Sequence, residues 1–310
     1  MTIGVIIRGP HAGAALVKCM ASIEKIASGS IGGFVSLVVL RRGAEPVFYE
    51  CQTGGVSALF GVDASQNLPS ELMESDRAAL ISSGPNRPEP LHRFLSWDKT
   101  GNMVSGHRFP HTQTSKGIPL NESALGILRA QGCDQQALVE LLQDNATLDA
   151  GLVAMDSTGR IFQGDTNRVQ VRGDTASLVF DTQDYAFAIT LNSIRPPMLI
   201  VNLLGEQFKQ QLDIDDRPVF CVSALASITA AKDKSVEIND VNEVININTP
   251  ETCWFSPCNE GALIETGTPI THQGVPVGRI QDEPYVITTN GKIESLSGLK
   301  SICLRYAVLE

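Results

Sequence analysis

The sequence contains no run of lysine or arginine interleaved with aromatic rings, and its net charge is −10. An acidic chain without a basic patch repels phosphate backbones, so nucleic acid is excluded as a partner. Long apolar runs are also missing. The longest, Phe34–Leu40 (FVSLVVL), is far too short to cross a bilayer, and MTIGVIIRGPHAG lacks the basic start and apolar core of a signal peptide. Cysteine is sparse and odd in number, seven residues in 310, which does not make a disulfide framework. Cys221 and Cys303 lie in the apolar runs FCVSALA and SICLRYAV and read as small buried hydrophobes. A cytoplasmic protein with no membrane association is expected. No GxGxxG, GxxxxGK[ST] or GxSxG motif occurs. Cys253 and Cys258 have four residues between them and no second pair, so they read as structural and no metal or cofactor is called for.

What is present is ordinary globular material, 43% hydrophobic and 19% charged. Thr2–Arg8 is β-branched and reads as a strand. Ala12–Ile26 has apolar residues at helical spacing, with Gly29 as a cap. Phe34–Arg41 and Val47–Cys51 form a hairpin. Residues 61–120 hold six prolines and read as a long ordered excursion, with a short helix inside Leu68–Ser82. Helices follow at Asn121–Gln131 and at Asp134–Gln143, the second capped by Asp134. Gly151–Asp156 and Arg160–Gly164 make a hairpin. Ser177–Thr182, Ala186–Ile194 and Met198–Leu204 read as strands. Asp213–Asp216 marks a boundary between an αβ domain, 1–212, and a β-rich portion, 213–310, packed on it. In that portion Pro218–Thr229 is rich in small and apolar residues, Val236–Asn248 alternates as a strand or hairpin does, and Thr289-Asn290-Gly291-Lys292 is a hairpin turn.

With these elements in place, AGAALVKCMASIEKIASGSIGGFVSLVV resembles the opening of γ-glutamyltranspeptidases and plant-type asparaginases. DAGLVAMDSTGRI is similar to a strand pair of the same superfamily, the N-terminal nucleophile hydrolases. The resemblance covers about a third of the chain, 1–60 and 120–170. It implies an α/β (α+β) fold: a layered sandwich of helices and a largely antiparallel sheet core. In those families the nucleophilic threonine opens the strand seven residues before the hairpin aspartate. Here Asp149 stands seven residues before Asp156, and it has no hydroxyl; Thr147 lies two residues too early. Another group of the superfamily opens with Thr-Phe-Ser-Ile-Val-Ala-Arg, which TIGVIIR at Thr2–Arg8 resembles. Removal of Met1 would leave Thr2 with a hydroxyl beside a free amine, the pairing by which threonine attacks amides.

The candidate site follows. Thr2 is the candidate nucleophile. Gly32 and Gly33 are backbone donors to an oxyanion, or else a tight turn. His107, Arg108 and His111 lie in GHRFPHT, where Pro110 breaks the helical register a metal pair would need, and Arg108 is suited to a substrate carboxylate. GPHAG at 9–13 opens a helix whose start favours anions, and with GHRFPH is expected to face one cleft. Cys51 is the best thiol candidate but has no assigned base. Two readings remain open. One is an amide-bond hydrolase acting on a small amino-acid-like molecule. The other is a non-catalytic relative, a small-molecule-binding or assembly protein that permits a homo-oligomer.

Overall fold

The computed structural model describes residues 1–61, 68–212 and 218–308. The chain is mixed α and β and divides into two compact units, Met1–Ile214 and Asp215–Glu310. The expected boundary at Asp213–Asp216 lies outside the described residues. No helix is long and apolar enough to cross a membrane among the described residues.

The first unit runs β1 (Thr2–Arg8), α1 (Ala12–Ile26), β2 (Val35–Leu40), β3 (Val47–Cys51), α2 (Gly55–Phe60), α3 (Ser70–Met73), β4 (Arg77–Ser83), β5 (Ser96–Trp97), β6 (Met103–Arg108), α4 (Leu120–Gln131), α5 (Gln135–Asp144), β7 (Ala150–Met155), β8 (Ile161–Asp165), α6 (Asn167–Gln170), β9 (Thr175–Asp181), β10 (Ala186–Asn192) and α7 (Pro197–Leu212). Its strands form two sheets, ordered β3-β2-β4-β1-β10-β9 and β5-β6-β7-β8, and every pairing in them is antiparallel.

Three cores separate four layers, α-β-β-α. Ile3, Val5 and Ile7 of β1 pack with α1 and α7. Ile6, on the opposite face by strand alternation, joins Val38, Ala79, Ile81 and Ala188 against Met103, Val153 and Met155 of the second sheet. Val104, Leu152 and Ala154 carry the outer face of that sheet onto Leu125 and Leu128 of α4 and Leu138 and Leu142 of α5. The two sheets touch most closely at Gly4, where a Cβ would lie 2.1 Å from the Gly106 carbonyl oxygen. Both faces of β1, β2 and β4 are covered, which is why VIIR, SLVVL and AALIS are continuous apolar runs instead of alternating ones.

Several expectations change here. The short helix expected within Leu68–Ser82 is Ser70–Met73, but Arg77–Ser83, expected to belong to the proline-rich excursion, is the strand β4 inside a sheet. Met103–Arg108 is the strand β6 inside the proline-rich excursion. Met198–Leu204 is helical, not extended, because Pro197 pre-sets the first turn of α7 and Val201, Leu204 and Phe208 then recur on one buried face. Asp134 caps α5 by accepting from the Gln136 and Ala137 N–H groups, as expected. The C-cap of α1 is Ala27, not Gly29.

The second unit is almost all strand: β11 (Val219–Ser223), β12 (Ser227–Ala230), β13 (Ser235–Ile238), β14 (Val244–Thr249), β15 (Asn259–Gly261), β16 (Pro269–His272), β17 (Val275–Ile280), β18 (Val286–Thr289), β19 (Lys292–Leu296) and β20 (Ser301–Val308). VEINDVNEVININ is the hairpin β13–β14. Asn290 and Gly291 both have positive φ and join β18 to β19, as the Asn-Gly signal requires. Cys221 and Cys303 are not free hydrophobes. They sit directly opposite in the antiparallel pair β11–β20 and form a disulfide. Cys253 and Cys258 are exposed thiols.

Candidate functional site

β1 delivers Thr2 to one end of the layer between the two sheets. Strand alternation from Ile6 and Gly4 turns its side chain inward, and it is 5% exposed. Its register partners are Ser83 of β4 and Asn192 of β10. The Thr2 hydroxyl donates to Ser83 Oγ at 3.4 Å. Ser83 donates to the Met1 carbonyl and accepts from the Arg87 guanidinium. A 90 Å³ cavity adjoins this group, bordered by Thr2, Arg87, Arg108, Asn192 and the rings of Phe34, Phe94 and Phe109. Arg87 lies 5.2 Å over the Phe34 ring.

The two arginines are in different electrostatic states. Arg108 Nη2 donates to both oxygens of Asp174, at 2.6 and 2.7 Å, and its Nε faces Asp149 at 3.4 Å. Arg172 pairs with the other Asp149 oxygen. Burial pushes the Asp174 carboxyl up, but the Ser193 and Arg108 hydrogen bonds outweigh it and hold the group below its ordinary range. Arg108 has φ of +62°, an uncommon conformation for a side chain of its size. Arg87 makes no ion pair with any described residue. The Met1 α-amine at the mouth is lowered by burial first, then by Arg87 and Arg108, with Asp174 acting the other way.

Buried polar atoms without hydrogen-bond partners concentrate at this end: Arg87 Nε, His107 Nδ1, Arg108 Nε, Asp149 Oδ1, Thr190 Oγ1 and Asn192 Oδ1. Such atoms are rare in a packed core, and of these residues Arg87, Arg108 and Asn192 border the cavity.

The remaining candidates take other places. Gly32 N–H donates to Ser82 Oγ and Gly33 N–H to the Ser83 carbonyl. Neither is available to an oxyanion at Thr2, so the expected role is corrected. Gly33 is glycine because a Cβ would fall 2.3 Å from the Gly84 carbonyl carbon. His107 is fully buried on β6 and bonds Asp165 through Nε2 at 2.8 Å; it does not border the Thr2 cavity. His111 packs on the Phe94 ring at 4.2 Å, one shell behind the cavity, and burial lowers its pKa. Arg108 does border the cavity, but Asp174 already pairs with its guanidinium, which corrects the role expected of it. GPHAG lies at the far end of β1 from Thr2, and Ser75 satisfies the Ala12 and Gly13 N–H groups. Among the described residues that segment shares no cleft with GHRFPH, and those two N–H groups are already taken. Cys51 donates to the Gly55 carbonyl and burial pushes its thiol up, which removes it as a nucleophile. Among the described residues no three His, Cys, Asp or Glu side chains form a metal cluster.

Ser83, Arg87, Asn192 and Asp174 carry no motif in the sequence. They reach Thr2 from β4, β10 and the segments beside them, and only strand register brings them together.

The first unit is a mixed α and β domain of four layers, α-β-β-α, with Thr2 buried at the start of β1. The chain belongs to the family described as a domain of unknown function, DUF6963, whose model matches residues 2–220. A second domain of unknown function, DUF7259, matches residues 226–301. No curated protein matches the chain.

Proposed function

We propose that the chain is an amide-bond hydrolase of the N-terminal nucleophile type, acting on a small amino-acid-like substrate, and that its four layers are that superfamily's sandwich. The observation that carries this reading is the Thr2 hydroxyl, held at the inner end of a central strand against Ser83 and beside Arg87 in one cavity. Cleavage of the Met1–Thr2 bond would place a free α-amine next to that hydroxyl. Burial, Arg87 and Arg108 lower the pKa of the neighbouring Met1 amine, and the same surroundings would favour the neutral form of an amine at Thr2. Thr2 Oγ1 would attack the amide carbon as its proton passes to the amine. The leaving nitrogen would take that proton as the C–N bond breaks, and water would release the acyl group from Thr2. Arg87, which makes no ion pair with any described residue, holds the substrate's negative charge.

The second reading is a non-catalytic relative that binds a small molecule or assembles with a partner. Asp149 favours it: the residue lacks a hydroxyl and is fixed between Arg108 and Arg172. Intact mass separates the two. A chain beginning at Thr2, with amide hydrolysis that disappears in Thr2→Ala and survives in Thr2→Ser, supports the hydrolase. A chain that keeps Met1 and hydrolyses nothing selects the binder.

A further inference from the structure

On the other face of the first sheet, between α1, α2 and the end of β4, lies a second cavity of 520 Å³. Its floor is Glu24, a helix residue 8% exposed. Glu24 Oε1 accepts from the Ser82 hydroxyl and Oε2 from the Val56 N–H, both at 2.9 Å. Both donors are neutral. No described cation comes within ion-pair distance of this carboxylate, although Lys25 also borders the cavity. Burial raises the Glu24 pKa, and its two hydrogen bonds only partly oppose that. A buried carboxylate is stable in its charged form only when paired.

The walls are bare where they meet it. A Cβ at Gly55 would lie 2.1 Å from Glu24 Oε2, and one at Gly32 would lie 3.1 Å from Glu24 Cβ. Gly54 and Gly84 extend the same surface. A Cβ at Gly84 would meet no atom within 4 Å, and its φ is not positive, so neither packing nor backbone requires glycine there. Capping α2 accounts for one hydrogen bond to Glu24 but not for the open cavity that its side chain borders.

We propose that this cavity is a binding site for small primary ammonium ions, with Glu24 as the anion that receives them. An ammonium group carries three donors and one positive charge. It fits the lone pairs that Ser82 and Val56 leave free, and supplies the missing counter-charge. The site is separate from Thr2: Ser82 faces it from one side of β4 while Ser83 faces Thr2 from the other. Its existence therefore does not depend on the hydrolase reading.

The test is calorimetric titration of the full chain with n-propylammonium, and with n-propanol as the uncharged control. Saturable binding of the ammonium alone is expected, weakened by about tenfold or more in Glu24→Gln. That variant keeps its fold because the Ser82 hydroxyl can turn to accept from the new amide. Gly84→Val narrows the cavity without touching Glu24 and weakens binding too, which keeps the test intact if Glu24→Gln fails to fold. Thr2→Ala leaves binding unchanged, whatever becomes of amide hydrolysis. Equal affinity of Glu24→Gln and wild type, equal binding of n-propanol, or no binding of n-propylammonium at millimolar concentration overturns the proposal.

Discussion

The layer between the two sheets has two unlike ends. At one end Ile6, Val38, Ala79 and Ala188 meet Met103, Val153 and Met155, and the buried hydroxyls of Ser36 and Ser105 are tied to the Leu91 and Leu80 carbonyls. Four residues back along β1 the same inward face carries Thr2, and the neighbouring strands follow: Ala79 and Ile81 give way to Ser83 on β4, and Ala186 and Ala188 to Thr190 and Asn192 on β10. The second sheet changes in step, from Met103 and Met155 to His107 and Asp165. Nothing in backbone geometry requires this switch, since all these strands keep regular antiparallel pairing across it. One end of the layer buries apolar surface and stabilises the fold. The other gives up that contribution to bring polar groups together, which is the usual cost of a site.

Gly4 stands at the switch, and its replacement should have the largest effect. A side chain there collides with the Gly106 carbonyl oxygen, carbon and Cα together, all of them backbone. No rotamer relieves that, so the sheets must part. Gly4→Val is expected to destabilise by more than about 3 kcal/mol, or to prevent folding. Chemical denaturation checks it, and a native-like midpoint would show that the sheets are not held at this spacing.

Ile6→Ala and Thr2→Ala then compare the ends directly. Ile6 is fully buried among apolar neighbours, and its truncation should remove about 2–5 kcal/mol through lost burial and a cavity. Thr2 offers one long hydrogen bond to Ser83, so Thr2→Ala should cost less than about 1 kcal/mol while abolishing any amide hydrolysis. Equal losses of stability from both would erase the distinction between the ends.

The hairpin beyond Met155 shows how a structural carboxylate differs from the polar end. Every Asp156 oxygen is engaged: Oδ1 by the Thr158 and Arg160 N–H groups and the Thr158 hydroxyl, Oδ2 by the Cys133 N–H and Arg160 Nε. Burial alone would raise its pKa, but these bonds outweigh burial and hold it at about 2, against an ordinary 3.8. A depressed folded-state pKa stabilises the protein above the ordinary value. The contribution, about 2 kcal/mol, is lost as pH falls from about 4 through about 2. Asp156→Asn should therefore be less stable than wild type at pH 7 and converge on it near pH 2. A constant difference across that range would contradict this account.

Much of this was legible in the sequence where local chemistry decides the outcome. The β-branched Thr2–Arg8, the Asp134 cap and the Asn290-Gly291 turn each act within a few residues. Met198–Leu204 reads as a strand and is helical, and Arg77–Ser83 reads as part of an excursion and is β4, for one reason: MLIVNLL and RAALISS are both short apolar runs, and a run buried on two faces has no period that separates strand from helix. β6 was hidden by the prolines on either side of it. Thr2 and Arg108 could be singled out, but the Asp174 pairing that closes Arg108 depends on a contact across 66 residues. The Cys221–Cys303 disulfide spans 82 residues and was equally invisible.

The smallest effect is the most diagnostic. Ser36 lies in the same inter-sheet layer, and its hydroxyl donates to the Leu91 carbonyl at 2.8 Å. Ser36→Ala should cost about 1 kcal/mol, because that carbonyl loses its donor. Thr190 is as deeply buried, yet its hydroxyl has no partner. Thr190→Val keeps the shape and removes an unsatisfied group, so it should leave stability unchanged or raise it by about 1 kcal/mol. Thermal unfolding of the two variants measures the opposite signs side by side. A loss at Thr190 matching that at Ser36 would mean that its hydroxyl supports the fold, and that the polar end is a core like the other.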